Sequence, residues 1–212
     1  MRAAILSVVV LAALSAPAGA EFIAYGCLTG APGAQTWNGQ LGHDFDVNQP
    51  IRITQLGVFD SGANGLARTL TAFVWSRNST GSPLAQLAFT PAEAGTLVDS
   101  SRFKPLAVPL DLPVGQYCVS VSGYGAGEPN GNEGPGAGGP SSAYKTLDTG
   151  GGLISFVGTG RYDANPSAYP ASLDGGPANR YSGPTFMFIP EPASLSLLAA
   201  AGLLLLLRRR RR

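Results

Sequence analysis

The sequence predicts an all-β chain, an antiparallel β-sandwich of jelly-roll type, flanked by an N-terminal signal peptide and a C-terminal transmembrane helix. Three observations predict it. Between residues 21 and 189 the apolar residues recur with a period of two rather than 3.6, which is the periodicity of strands. The alternating stretches are short and are separated by clusters of Gly, Pro, Asn and Ser. Two uncharged, mostly apolar runs, one near each end of the chain, lie outside this pattern.

Residues 1–20 read as an export signal. Arg2 supplies the positive start and residues 5–14 the apolar stretch. Ala18 and Ala20, around Gly19, form a small-residue cleavage site that makes Glu21 the new terminus. The apolar stretch is too short for a membrane span and runs into Pro17.

The strands then follow in order. His43, Phe45 and Val47 alternate with Asp44 and Asp46. Residues 51–59 alternate over a longer run, entered through the turn Asn48-Gln49-Pro50. Residues 70–75, 84–89 and 103–110 come next, with the turn-forming stretch 78–83 between the first two. In residues 114–121, Tyr117, Val119 and Val121 share one face and Cys118 lies on the other. Residues 153–157 and 185–189 complete the set. Residues 123–139, rich in Gly, Pro and Asn, are expected to form a long exposed loop, and residues 161–183 a second one carrying Tyr162, Tyr169 and Tyr181.

Residues 190–212 close the sequence in three parts: Pro190-Glu191-Pro192, an apolar run at residues 193–207, and Arg208, Arg209, Arg210, Arg211 and Arg212. As a helix the run reaches ~22 Å at ~1.5 Å per residue, short for a hydrocarbon core of ~30 Å. The arginines resist crossing and stay cytoplasmic. An ordinary single-span anchor satisfies these facts. The order of parts also resembles the PEP-CTERM sorting signal of Gram-negative bacteria, a Pro-Glu-Pro motif followed by a short apolar helix and a basic cluster. That resemblance implies processing of the tail by an exosortase, a membrane cysteine protease-transpeptidase. Pro190, Glu191, Pro192 and the five arginines would be the sorting residues. It further implies export, a transient stay in the inner membrane, and delivery to the cell surface or extracellular matrix. The body, residues 21–189, is similar to uncharacterised β-sandwich domains that precede such tails. The matching residues are Phe45, Val47, Leu56-Gly57-Val58-Phe59-Asp60, Gly65-Leu66, Phe73-Val74-Trp75 and the closing Tyr181-Ser182-Gly183-Pro184-Thr185-Phe186-Met187-Phe188. The similarity implies a fold and a destination, and no activity.

Charge narrows the function. Without Arg2 and the five terminal arginines, Lys and Arg fall from 14 to 8; without Glu191, Asp and Glu fall from 13 to 12, so the body carries −4. No basic patch remains to hold nucleic acid. Cys27 and Cys118 are the two cysteines, and in an exported chain one disulfide is the simplest expectation, with two buried free thiols as the alternative.

Candidate sites are few. His43 is the single histidine, no G-x-S-x-G elbow is present, and a surface or strand-end role is expected for it. Asp60, Gly62, Asn64 and Gly65 outline a calcium loop, but Gly62 offers no side-chain oxygen and Thr71 replaces the terminal glutamate. Asp60 and Asn64 remain a weaker metal candidate beside a plain turn, and no cofactor is expected. Among aromatic candidates for a sugar platform (Trp37, Trp75, Tyr124, Tyr162 and Tyr169), the loop tyrosines Tyr162 and Tyr169 are preferred, because strand aromatics usually face a core. Three functions follow in order. The first is a non-enzymatic surface or matrix protein associated with exopolysaccharide, the second a carbohydrate-binding module, and the third a secreted hydrolase.

Overall fold

Fifteen strands, one 3-10 turn at Ser61–Ala63 and no α-helix build the described residues, 21–133 and 145–191, of this computed structural model. The cleavage-site residues Ala18 and Ala20, Pro192, the helix expected at residues 193–207 and the arginines 208–212 lie outside the described residues. In chain order the strands are β1 (Phe22–Ile23), β2 (Tyr25–Cys27), β3 (Gln40–Val47), β4 (Ile51–Phe59), β5 (Leu70–Ser76), β6 (Ala85–Phe89), β7 (Thr96–Val98) and β8 (Ser101–Leu112). They continue with β9 (Gly115–Ser122), β10 (Gly131–Asn132), β11 (Lys145–Leu147), β12 (Ile154–Asp163), β13 (Ser172–Asp174), β14 (Tyr181–Ser182) and β15 (Pro184–Pro190).

The ladders are antiparallel and form two main sheets. One has the order β1-β15-β4-β8-β7 and the other β13-β12-β3-β9-β5-β6; the pairs β10-β14 and β2-β11 stand beside them. Alternation explains why the sheets meet. Ile51, Ile53, Leu56, Val58, Phe186 and Phe188 of the first sheet share one buried cluster with Leu41, Phe45, Val47, Leu70, Ala72, Val74, Val119 and Val121 of the second. Phe45 and Phe186 bridge the two sheets at 4.8 Å between ring centroids. Each fully buried phenylalanine contributes ~1.5–3 kcal/mol of transfer free energy. The result is an all-β, sandwich-like domain.

The outer face of the second sheet carries an apolar patch of its own. Phe73, Trp75 and Cys118 form a separate small cluster there, with the partly buried Tyr169 laid against it. Two layers of apolar side chains explain why Ala72, Phe73, Val74 and Trp75 of β5 read as an unbroken apolar run.

This layering corrects the expected disulfide. Cys27 and Cys118 are both buried and free. Cys27 belongs to the inter-sheet core, where its thiol meets Ser182 Oγ at 3.6 Å. Cys118 faces outward with Trp75. The same alternation that puts Tyr117, Val119 and Val121 into the core turns Cys118 away from it.

Both expected loops are also corrected. The described part of the first carries β10, and Glu128, Asn130 and Asn132 are buried in it. The second contains the end of β12, then β13 and β14. The domain also extends one step into the Pro-Glu-Pro motif. Pro190 ends β15 opposite Ile51, and Glu191 N donates to Pro50 O at 3.0 Å. Proline is tolerated there because β1 pairs β15 only at Phe188 and Met187, so no neighbour asks Pro190 for a hydrogen.

Candidate functional site

The Asp60 turn is filled by its own chain. The Asp60 carboxylate is fully buried and accepts from Asn64 N, from Gly65 N and from Arg102 Nε at 2.7 Å. Gly65 sits at φ +105, where a side chain would be strained. Glu128, also buried, accepts from Ser61 N at 2.9 Å and Ala67 N at 2.8 Å and braces the turn from the other side. An arginine side chain already bonds the carboxylate, and the contacts that Asp60 and Asn64 make are those of a turn. Among the described residues no group of three His, Cys, Asp or Glu side chains could hold a metal ion.

His43 is a core residue, not a surface one. It is fully buried, stacks on Tyr25 at 4.8 Å and donates from Nε2 to Tyr181 O at 2.9 Å. Burial pushes its pKa down to about 4, against a smaller opposing effect of the Tyr181 carbonyl. Among the described residues its Nδ1 has no partner, and no hydroxyl hydrogen-bonds to either nitrogen. A small cavity of about 10 Å³, lined by its neighbours Tyr25 and Tyr181 with Cys27, Lys145 and Ser182 among others, is too small for an organic ligand.

Tyr169 does not offer a free ring. One edge meets Trp75 at 5.8 Å and Arg161 lies over its face at 5.5 Å. Burial, with the nearby Cys118 adding, raises its hydroxyl to about 12. Beneath it the buried Asp44 accepts from Arg161 Nε at 2.6 and 2.7 Å, with Arg77 Nε at 3.5 Å. Trp75 donates from Nε1 to Ser120 Oγ at 2.8 Å. Tyr124 is likewise internal, its hydroxyl donating to Phe59 O and accepting from Phe59 N. These groups hold the outer layer and the core together.

Tyr162 is different. It lies on β12 directly opposite Leu41 of β3, so the two side chains share a face. There it meets Trp37 edge to face, with centroids 6.1 Å apart and planes at 84°. Trp37 is pinned by its Nε1–H, which donates to Gln40 O at 3.2 Å. Gln35, Trp37, Leu41, Tyr162, Asp174 and Tyr181 line a groove of about 150 Å³. Tyr162 is 38% exposed at its rim. Asp174 accepts from Arg180 Nη1 at 2.5 Å, from Gly176 N at 2.8 Å and from the Tyr181 hydroxyl. Burial pushes the Asp174 carboxyl up, but these three donors outweigh it and hold the group below the usual range. The Tyr181 hydroxyl is pushed up by burial and by Asp174.

The groove therefore offers a stacking face, one ionised carboxylate and the side-chain N–H of Gln35, whose Oε1 accepts from Asn130. It contains no nucleophile–base pair and only one carboxylate. Of the sequence candidates, it unites Trp37 with Tyr162 and leaves Tyr169 apart. Gln35 carried no pattern that would have singled it out. Of the sorting residues, Pro190 and Glu191 lie at the end of β15, next to the β3–β4 turn. No protein-family model matches the chain, and no curated protein matches it.

Proposed function

We propose that this is an exported, non-enzymatic protein of a Gram-negative cell envelope, sorted by an exosortase through its Pro-Glu-Pro tail and acting at the surface or in an exopolysaccharide matrix. The observation that carries this is the ordered tail: Pro190-Glu191-Pro192, an apolar run at residues 193–207 expected as a membrane helix, then Arg208 to Arg212, in a chain that also begins with an export-signal pattern. Support comes from the body, whose last described strand ends at Pro190, with Glu191 N closing on Pro50 O at the start of the motif.

The jelly-roll form belongs to the same proposal. Taking β1, β3, β4, β5, β6, β8, β9 and β15 as the eight strands, the sheet orders β1-β15-β4-β8 and β3-β9-β5-β6 follow the double-sheet jelly roll, with β12 and β13 added beside β3. That architecture hosts lectin domains among many others, which is an analogy of fold only. The carbohydrate-binding alternative is favoured by a specific observation, the Trp37–Tyr162 groove. Hydrolysis draws no comparable support, since the groove has a single carboxylate where glycosidases use two.

The test is C-terminal peptide mapping of protein recovered from the envelope of its own host. Processing near Glu191 is expected, with residues 208–212 lost. Recovery of peptides spanning residues 191–207 from the surface form would mean a permanent anchor instead.

A further inference from the structure

We propose that the Trp37–Tyr162 groove is a subsite for one neutral pyranose residue of a polysaccharide chain. The surface reading above supplies only the setting in which glycan is met; the site stands on its own geometry.

Size comes first. A groove of about 150 Å³ has room for a single sugar ring, with the rest of a chain running out over its open side. Shape comes next. The two rings stand at 84° and make a corner. A pyranose has one face rich in C–H bonds, which stacks on the exposed ring of Tyr162 while its edge meets Trp37. Aromatic rings with a polar tip suit this, since they desolvate an apolar face beside a wet rim. The polar groups match the remaining sugar edge. Gln35 Oε1 already accepts from Asn130 Nδ2 at 3.0 Å, which turns the amide nitrogen of Gln35 free as a donor. Asp174 keeps acceptor capacity beyond its three internal bonds. A donor and an acceptor on one rim fit hydroxyls, which both give and receive hydrogen bonds.

Charge then selects the class. Asp174 is the one charged group in the lining, and it is an anion. A uronate, sulfate or phosphate would face it directly. Arg180 is paired with Asp174 through Nη1 at 2.5 Å, so the two charges largely cancel and the groove holds no net cation to draw an anionic sugar. The site is also set in advance: Gln40 holds the indole of Trp37, and Asp174 holds Tyr181. Little rotamer freedom is lost on binding, which is how a small, wet contact reaches useful affinity. Many such contacts along a polymer then add through avidity.

The experiment uses the protein recovered from its own host, in a detergent without a sugar headgroup. It is titrated with oligosaccharides of β-glucan, α-glucan, galactomannan and xylan, and with oligogalacturonate, following tryptophan emission and calorimetric heat. Trp75 is buried, so emission changes report Trp37. At least one neutral series is expected to saturate, oligogalacturonate is not, and Tyr162→Ala is expected to weaken binding about tenfold or more. Gln35→Ala is expected to weaken it less, and Val114→Ser, on an exposed turn residue outside the lining, not at all. The melting temperature of Tyr162→Ala, expected near that of the parent, separates lost binding from lost fold. No saturation by any neutral series, saturation by the uronate alone, or full binding by Tyr162→Ala would overturn the site. C-terminal mapping of the same preparations keeps the two proposals apart. A processed tail without sugar binding sinks this one, and sugar binding with an intact tail sinks the sorting proposal.

Discussion

His43 shows most directly how burial sets chemistry here. Its imidazole lies in the core with Nε2–H given to Tyr181 O, so the neutral form is favoured and the pKa falls to about 4 from an ordinary 6.5. The folded-state value is depressed, so the unfolded chain binds a proton that the folded chain refuses. Its contribution to stability is therefore whole above pH 6.5 and is lost as pH falls from 6.5 towards 4. The slope approaches ~1.4 kcal/mol per pH unit within that window. Urea midpoints measured at intervals between pH 7 and 5 are expected to fall for the parent. They should stay nearly level for His43→Gln, which keeps a side-chain N–H for Tyr181 but does not titrate. His43 is the chain's one histidine, so an equal fall in both proteins would show that burial of this ring is not the cause. The sequence disclosed half of this residue. Alternation put His43 on the face of Phe45 and Val47, but the flanking aspartates suggested a solvated strand. Those aspartates sit on the outer face, where Asp44 is buried against Arg161 and Asp46 accepts from Arg77 at 2.9 Å. No local pattern announces partners from so far along the chain.

At the scale of elements, the eight longer strands were legible because each repeats its alternation often enough to be seen. β1, β2, β7, β10, β11, β13 and β14 have two or three residues each, too few to show any period. Only residues 153–157 of the β12 region show alternation in the sequence, for a physical reason. Its register with β3 shifts between Phe156 and Gly160, and Gly158 within the shift has φ +85. A bulge of this kind interrupts alternation in sequence while the strand continues in space, and it carries Tyr162 to the groove. The stretch Leu56-Gly57-Val58-Phe59-Asp60 can now be read as packing. Leu56, Val58 and Phe59 are buried, Asp60 binds Arg102, and Gly57 leaves room for the ring of Phe103 on the neighbouring strand. A Cβ at residue 57 would stand 2.6 Å from both Phe103 Cε1 and Thr185 Cγ2. Gly57→Val must therefore displace a ring that is only 2% exposed. A loss of ~1–3 kcal/mol is expected from chemical denaturation, in the range of overpacked sites. A second change, Phe103→Leu, should recover part of it by making space. If Gly57→Val melts with the parent, Phe103 is not held in the way described.

For the whole molecule, the boundary between body and tail decides what each part does. The sequence reading ends the body at residue 189, since two prolines keep Pro190-Glu191-Pro192 out of a regular helix or a central strand. The sheet edge at this end has a place for both residues: Pro190 pairs with Ile51, and Glu191 N closes on Pro50 O. Further back, Phe186 and Phe188 are fully buried, and Phe188 also stacks near Phe22 of β1 at 5.5 Å. Truncation should therefore be sharply asymmetric. A chain ended after Glu191 keeps every hydrogen bond of β15 and the whole core, and is expected to melt with the intact body. A chain ended after Met187 loses Phe188, at ~3–5 kcal/mol for a removed core aromatic. That is a large part of the ~5–15 kcal/mol that holds a typical domain, so failure to accumulate as a folded species is expected. Circular dichroism melts of the two truncations decide the point. Fractionating cells that express the longer one tests the tail in the same experiment. With residues 192–212 gone the export signal is intact and the sorting segment absent, so folded protein should leave the membrane fraction and be found free in the periplasm or medium. Folded protein that stays with the membrane would assign retention to the body itself, and loss of folding on removing only residues 192–212 would make the tail part of the core.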